Sequence, residues 1–162
     1  MTKTKLTLYL VFLLFQAIWL GSGFHSSVSS NGTWYSDPLT HIHHQVTYPV
    51  PGEMNAWPIS TGLLAISTLV CVLLFFKYKE SGRTHAFIAI YGTLVLIIVT
   101  FLYFVPTLGK IFGDTGLHSD EELISLSRQW VILNCIRLAI LTGLFITALL
   151  GLSRFPRLSS NN

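Results

Sequence analysis

The sequence predicts an all-α integral membrane protein folded as a single four-helix bundle. Of its 162 residues, 51% are hydrophobic and only 10% are charged, and the apolar residues gather into four long stretches. Soluble domains carry about 25% charged residues, because a water-facing surface needs them, whereas a lipid-facing surface excludes them. The composition therefore excludes an ordinary soluble domain and indicates the lipid bilayer as the main partner.

Four apolar stretches are long enough to cross a hydrocarbon core about 30 Å thick. They cover residues 6–24, 59–76, 86–105 and 130–152. Backbone N–H and C=O groups must be hydrogen-bonded internally in lipid, so each stretch is predicted to be a helix, and no period-2 alternation supports a barrel. We expect one transmembrane domain over residues 1–162.

The positions of Lys and Arg predict that both termini are cytoplasmic. Seven basic residues flank the same ends of the stretches: Lys3, Lys5, Lys77, Lys79, Arg83, Arg154 and Arg157. The opposite side keeps Lys110 and Arg128 with six of the seven acids. Basic loops stay in the cytoplasm, so we expect a multi-pass protein of the bacterial inner (plasma) membrane. The scattered basic residues form no patch for nucleic acid.

The first stretch allows one alternative. A basic start and an apolar run followed by Gly21, Ser22 and Gly23 also describe a secretory signal peptide. Trp19 and Leu20 fit the small-residue cleavage site poorly, and the run is slightly longer than usual for a signal. A retained anchor helix is therefore favoured over a cleaved signal.

Two helix boundaries are predicted from local patterns. Pro106 is expected to end the third helix, because proline lacks an N–H and restricts the residue before it. Ser119, followed three residues later by Glu122, has the pattern of an N-cap with a capping box. A helix is therefore expected to begin there and run into the fourth stretch.

Residues 25–58 are predicted to form a long extracytoplasmic loop. This segment has no Lys or Arg, several aromatic residues and four prolines, which favours an ordered lid over the bundle mouth. Four of its histidines are candidate metal ligands: His25, His41, His43 and His44. Imidazole binds zinc, copper and iron, and Asp37 or Glu53 could complete a site. Solvated histidines without any cofactor are the alternative.

A polar stripe is predicted on the fourth helix. Trp130, Asn134 and Arg137 stand at i, i+4 and i+7, so they share one face. An arginine at a span centre costs about 2.5–3.5 kcal/mol, so Arg137 should face the bundle or a wet cavity. The residues expected to accept from it are Thr61, Ser67, Thr100 and Tyr103. Arg137 has two possible roles. It could bind an anionic or electron-rich ligand, or it could form structural hydrogen bonds to carbonyl groups near Pro106.

Three sequence features together resemble the anthrone oxygenase-like family of small four-helix membrane proteins. They are the FLYFVPTLGK run at 101–110, the acidic SDEEL run at 119–123 and the spacing of Trp130, Asn134 and Arg137. The resemblance covers mainly residues 86–152. Leu108 stands where the family often has an asparagine.

This resemblance implies a membrane-embedded oxidoreductase or oxygenase that acts on a lipophilic aromatic or quinone-like substrate. Trp130, Asn134 and Arg137 would then line the pocket, with Arg137 as the cation and a loop histidine as the base. The alternative is a non-enzymatic membrane protein whose histidine-rich loop binds a metal ion or a partner. Gly62, Gly92 and Gly143 permit close helix contacts, so a homo-oligomer is also compatible with the sequence.

Overall fold

The computed structural model describes residues 3–48, 51–75, 83–113 and 117–154, and nearly all of them are helical. No strand occurs in these ranges. The six α-helices and one π-helical turn follow the chain in this order: α1 (Lys3–Ser36), α2 (Pro38–Thr47), α3 (Pro51–Phe75), α4 (Arg83–Val99), the π turn (Thr100–Phe104), α5 (Val105–Gly113) and α6 (Asp120–Ser153).

Four helical segments have the length and apolar composition needed to cross a membrane. They are Thr4–Val28, Pro58–Phe75, Thr84–Gly113 and Asp120–Ser153. Each contains at least 18 residues, close to the roughly 20 that a bilayer core requires. The predicted all-α membrane fold is therefore confirmed, while the cytoplasmic position of the termini stays a prediction.

The four spans surround a common interior. α1 packs against α3 and α6, and α4 packs against the same two helices, so the helices close a ring. Tyr9 anchors one end of the interior, where its hydroxyl donates to the carbonyl of Ala148 at 3.0 Å and its ring contacts Phe12 and Phe75. A buried hydroxyl in lipid needs such a partner, because water cannot replace it there.

The predicted loop at residues 25–58 is wrong as secondary structure. α1 continues to Ser36, α2 follows after one residue, and α3 begins at Pro51. Asp37 makes the break between α1 and α2, and its carboxylate accepts from the backbone N–H of Thr40 as an N-cap. Pro38 occupies the first turn of α2, where an N–H would have no intrahelical acceptor. Two prolines expected to form turns, Pro38 and Pro51, therefore begin helices instead, and Pro58 lies inside α3.

The predicted end of the third helix at Pro106 is also wrong. The helix passes through the π turn into α5 and reaches Gly113. In the wider turn the N–H of Val105 donates to the carbonyl of Thr100, and the hydroxyl of Thr107 donates to the carbonyl of Tyr103 at 2.7 Å. These bonds satisfy backbone groups around the proline, so the helix continues past it.

The predicted start of α6 is confirmed. Ser119 is extended, and its hydroxyl oxygen accepts from the backbone N–H of Glu122 at 3.3 Å. Three acidic residues follow in the first turn, where the helix dipole favours negative charge. This boundary sets the register of the polar face further along α6.

The packing predicts opposite effects for two glycines of α6. A Cβ on Gly151 would lie 2.9 Å from the Tyr9 hydroxyl and 3.2 Å from the backbone nitrogen of Ala86, whereas a Cβ on Gly143 would meet nothing within 4 Å. Gly151→Ala should therefore lower the free energy of unfolding by about 1–3 kcal/mol, and Gly143→Ala should leave it unchanged or slightly higher. Thermal unfolding in detergent, followed by circular dichroism, measures both; equal midpoints would contradict the described packing.

Candidate functional site: a buried arginine beneath an aromatic cluster

The predicted polar stripe of α6 faces the interior. Trp130 and Arg137 are each 6% exposed, and Asn134 is 1% exposed. Since all three side chains are buried on one helix, the prediction of a shared inward face is confirmed. The helices opposite them are α1 and the segment from α4 to α5.

The guanidinium group of Arg137 is held by neutral hydrogen-bond acceptors. Nη2 donates to Oδ1 of Asn134 at 2.7 Å, and Nη1 donates to Oγ1 of Thr100 at 3.3 Å. Thr100 was among the four predicted acceptors. Two of the others bond elsewhere: Thr61 accepts from Nε1 of Trp19 at 3.0 Å, and Ser67 donates to the carbonyl of Leu64.

Two aromatic rings cover the guanidinium group. Its central carbon lies 4.6 Å from the ring centroid of Phe104 and 5.3 Å from that of Trp19, within the range of cation–π attraction. Such contacts are stronger when the cation is desolvated, as here. The rings stabilise the charge without neutralising it.

Each of these four contacts of the buried guanidinium is neutral. Thr100, Asn134 and both rings carry no formal charge, so none of these groups cancels the positive charge. Along α6 the nearest acid is Glu122, fifteen residues from Arg137, which is about 22 Å of helix.

Two irregular features of the fold complete this arrangement. The π turn begins at Thr100 and ends at Phe104, and both residues are buried; π turns occur often at functional sites. The extension of α1 beyond the predicted span places Ser27 beside Asn134, whose Nδ2 donates to the Ser27 hydroxyl oxygen at 3.5 Å. Ser27 thus helps to orient the amide that holds Arg137.

An aromatic cluster lies further along the same face, toward the start of α6, at the end that the charge pattern predicts to be outer. Trp34 of α1 is 5% exposed, and its ring centroid is 4.4 Å from that of Trp130. Phe112 and the His41 ring contact Trp34 at 5.6 and 5.3 Å, and Phe104 meets Trp130 edge-on at 5.9 Å. We call these five rings the outer aromatic cluster. Sequence reasoning missed Trp34 because it placed this residue in a loop.

The four candidate histidines differ in their surroundings. His41 is half-buried on Trp34, whereas His25, His43 and His44 are exposed. His41 and His44 share a face of α2, as expected for a helix, and line a cleft of about 270 Å³ together with Asp37.

Within the described ranges, no three His, Cys, Asp or Glu side chains are grouped to hold a metal ion. The side chain of Glu53, the other predicted carboxylate, lies outside the described residues. A transition-metal site on the histidine-rich segment therefore stays a prediction.

No protein-family model, curated protein or solved structure matches this chain. The resemblance to the anthrone oxygenase-like family consequently rests on the residues quoted from the sequence.

Proposed function

We propose that this protein is a membrane-embedded oxidoreductase, similar in activity to an oxygenase, that acts on a lipophilic aromatic or quinone-like substrate. The observation that carries the proposal is the buried guanidinium of Arg137, which hydrogen-bonds to neutral Asn134 and Thr100 and stacks on aromatic rings. The family resemblance suggests the class of reaction, and the buried position of Arg137 suggests that its charge stabilises a negatively charged oxygen of the substrate.

An enolisable aromatic ketone such as anthrone fits this chemistry. A base removes a proton from the ring methylene, and the resulting enolate carries negative charge on its oxygen. A preorganised cation in a water-poor site stabilises such charge far better than water does. Molecular oxygen then attacks the ring carbon; one oxygen atom becomes the new carbonyl, and the other leaves as water with the two methylene hydrogens.

Three residues have distinct roles in this scheme. Arg137 stabilises the enolate oxygen, Asn134 orients the guanidinium through its 2.7 Å hydrogen bond, and Trp130 gives a flat surface for the substrate. Of the four candidate histidines, His41 is the one whose ring stacks on the outer aromatic cluster. It is therefore our choice for the base.

Oxygen labelling tests the reaction directly. Protein reconstituted in lipid vesicles is supplied with anthrone and oxygen-18, and both oxygen uptake and the label in the quinone are measured. We expect one oxygen molecule consumed and one labelled atom incorporated for each anthrone, at a rate well above that in protein-free vesicles. A rate equal to the spontaneous oxidation in those vesicles would contradict the proposal.

The second candidate function is non-enzymatic capture of a metal ion or partner by the histidine-rich segment. The cleft lined by Asp37, His41 and His44 favours it, because imidazole and carboxylate groups are common ligands of transition metals. Elemental analysis of tag-free protein, with and without alanine at residues 41, 43 and 44, tests this candidate. A stoichiometric metal that the triple variant loses would support it, and metal-free wild type would exclude copper, zinc or iron as a resident ion.

A further inference from the structure

Four hydrogen-bond donors are buried together at the outer end of the bundle without acceptors. They are the indole nitrogens of Trp34 and Trp130 and the hydroxyls of Tyr103 and Ser127, none of which meets a partner in the ranges 3–48, 51–75, 83–113 and 117–154. The rings of Trp34 and Trp130 are in contact. The Tyr103 ring contacts the Phe104 ring, which in turn contacts Trp130. Ser127, fully buried, lies one helical turn before Trp130.

Such a group of donors is unusual in a folded protein. A buried donor without an acceptor loses the hydrogen bond that it would make to water in the unfolded chain. Native structures contain only about a few such atoms per 100 residues. The described residues hold six unpartnered buried atoms, and the concentration of four of them on Trp34, Trp130 and residues packed near them therefore indicates that an acceptor binds there.

The donors also define the chemistry of that acceptor. An indole N–H can only donate, and the hydroxyls of Ser and Tyr can donate as well. The surrounding rings offer flat apolar surface for stacking. We propose that the indole N–H groups of Trp34 and Trp130 bind a second carbonyl oxygen of the lipophilic aromatic molecule, distinct from the oxygen at Arg137 and equivalent to the one that oxidation creates, with Tyr103 and Ser127 as additional donors.

This inference rests on the proposed function, because it concerns the same end of the bundle, and it assigns binding roles to Trp34 and Ser127, two residues that the sequence did not single out. The cleft of about 270 Å³ lies next to the donors, since His41 both lines it and stacks on Trp34. This volume is just below the range of about 300–1,000 Å³ common for small-molecule sites. His41 thus lies between the cleft and the indole of Trp34.

The position of Trp34 depends on the end of α1 being held in place. Arg128 of α6 donates from Nε to the backbone carbonyl of Tyr35 at 3.3 Å, and its guanidinium carbon lies 5.7 Å from the centroid of the Tyr35 ring. These contacts fix the residue that follows Trp34. Arg128 is therefore a positioning residue for the indole site.

Nitrogen-15 spectra of the tryptophan indoles test the inference. The chain has four tryptophans, at positions 19, 34, 57 and 130, so labelled protein gives four indole N–H signals. They are assigned through Trp34→Phe, Trp57→Phe and Trp130→Phe, and the remaining signal belongs to Trp19. The ligands are fluorenone, which has one carbonyl and no donor, and fluorene, the same ring system without the oxygen. Trp19 is the internal control, because its N–H already donates to Thr61.

We expect fluorenone to move the Trp34 and Trp130 signals downfield, as new hydrogen bonds do, and to leave Trp19 in place. Trp34→Phe keeps an aromatic ring but removes the donor, so it should weaken fluorenone binding about fivefold, the worth of one hydrogen bond, without affecting fluorene. An unchanged Trp19 signal in each variant shows that the fold is intact.

Two results would overturn the inference: indole signals that do not respond to fluorenone, or equal responses to fluorenone and fluorene. Donors that bind only water would give the first of these results. The experiment needs no turnover, so its outcome is separate from that of the oxygen-labelling assay. Oxidation of anthrone without a change in the indole signals would contradict only the indole site. A change in the indole signals without oxidation would contradict only the proposed reaction.

Discussion

Replacing Arg137 with glutamine is expected to lower the rate of anthrone oxidation at least 100-fold. Loss of one preorganised donor at a developing oxyanion typically lowers the turnover rate by about 100- to 1,000-fold, and this change removes a full charge as well. Glutamine retains hydrogen-bonding groups for Thr100 and Asn134, so the interior stays polar and filled. Oxygen uptake at saturating anthrone measures the effect.

Lys110 provides the control for that change. It is an exposed basic residue in the last turn of α5. Lys110→Gln should leave the turnover rate at saturating substrate within about twofold, because a screened surface charge stabilises a buried anion only weakly. Equal losses in the two variants, with folded protein in both, would contradict the role given to Arg137.

Replacing Asn134 with aspartate should separate stability from activity. The carboxylate would stand where Oδ1 of Asn134 now accepts from Arg137 at 2.7 Å, so it would pair with the guanidinium and neutralise it. We expect the thermal midpoint to stay near that of the wild type, because a close ion pair offsets its own desolvation cost. Oxidation should fall at least about 100-fold, since the positive charge is no longer available to the enolate.

Asn134→Leu distinguishes this effect from simple damage. Leucine removes the acceptor and leaves the buried charge with one hydrogen bond fewer, so the free energy of unfolding should fall by about 2–4 kcal/mol. Circular dichroism melts and oxygen uptake on the same preparations give both quantities. Full activity in Asn134→Asp would show that the reaction does not use the charge of Arg137.

Hydropathy alone predicted the four spans, because lipid imposes a single solution on long apolar segments. The inward face of α6 followed from the spacing of Trp130, Asn134 and Arg137. Thr100 could be named as an acceptor, because its depth in the third span matches that of Arg137. These features depend on composition and on the helical period, and both can be determined from a single sequence.

The extension of α1 was not predictable from the same rules. The residues after Phe24 are mostly serine and other polar types, which favour loops when considered locally. Their helical state depends on Trp34 packing against Trp130 and Phe112, a contact between distant parts of the chain. The indole site escaped sequence reasoning for the same reason.

Pro106 shows how tertiary context overrides a local rule. Proline ends most helices, because it removes an N–H and crowds the preceding turn. The π turn at Thr100–Phe104 provides the extra residue that lets the helix continue. It also brings Phe104 over the guanidinium of Arg137, so an irregularity that sequence patterns do not reveal forms part of the site.

The most direct test of the central claim is optical. A lipophilic nitrophenol absorbs at longer wavelength when ionised, so its ionisation midpoint can be measured while it is bound to the protein in vesicles. If Arg137 stabilises a bound anion, the midpoint should be at least about one pH unit lower on the wild type than on Arg137→Gln, equivalent to about 1.4 kcal/mol. Equal midpoints on the two proteins would contradict the claim that this cation acts on a bound oxygen.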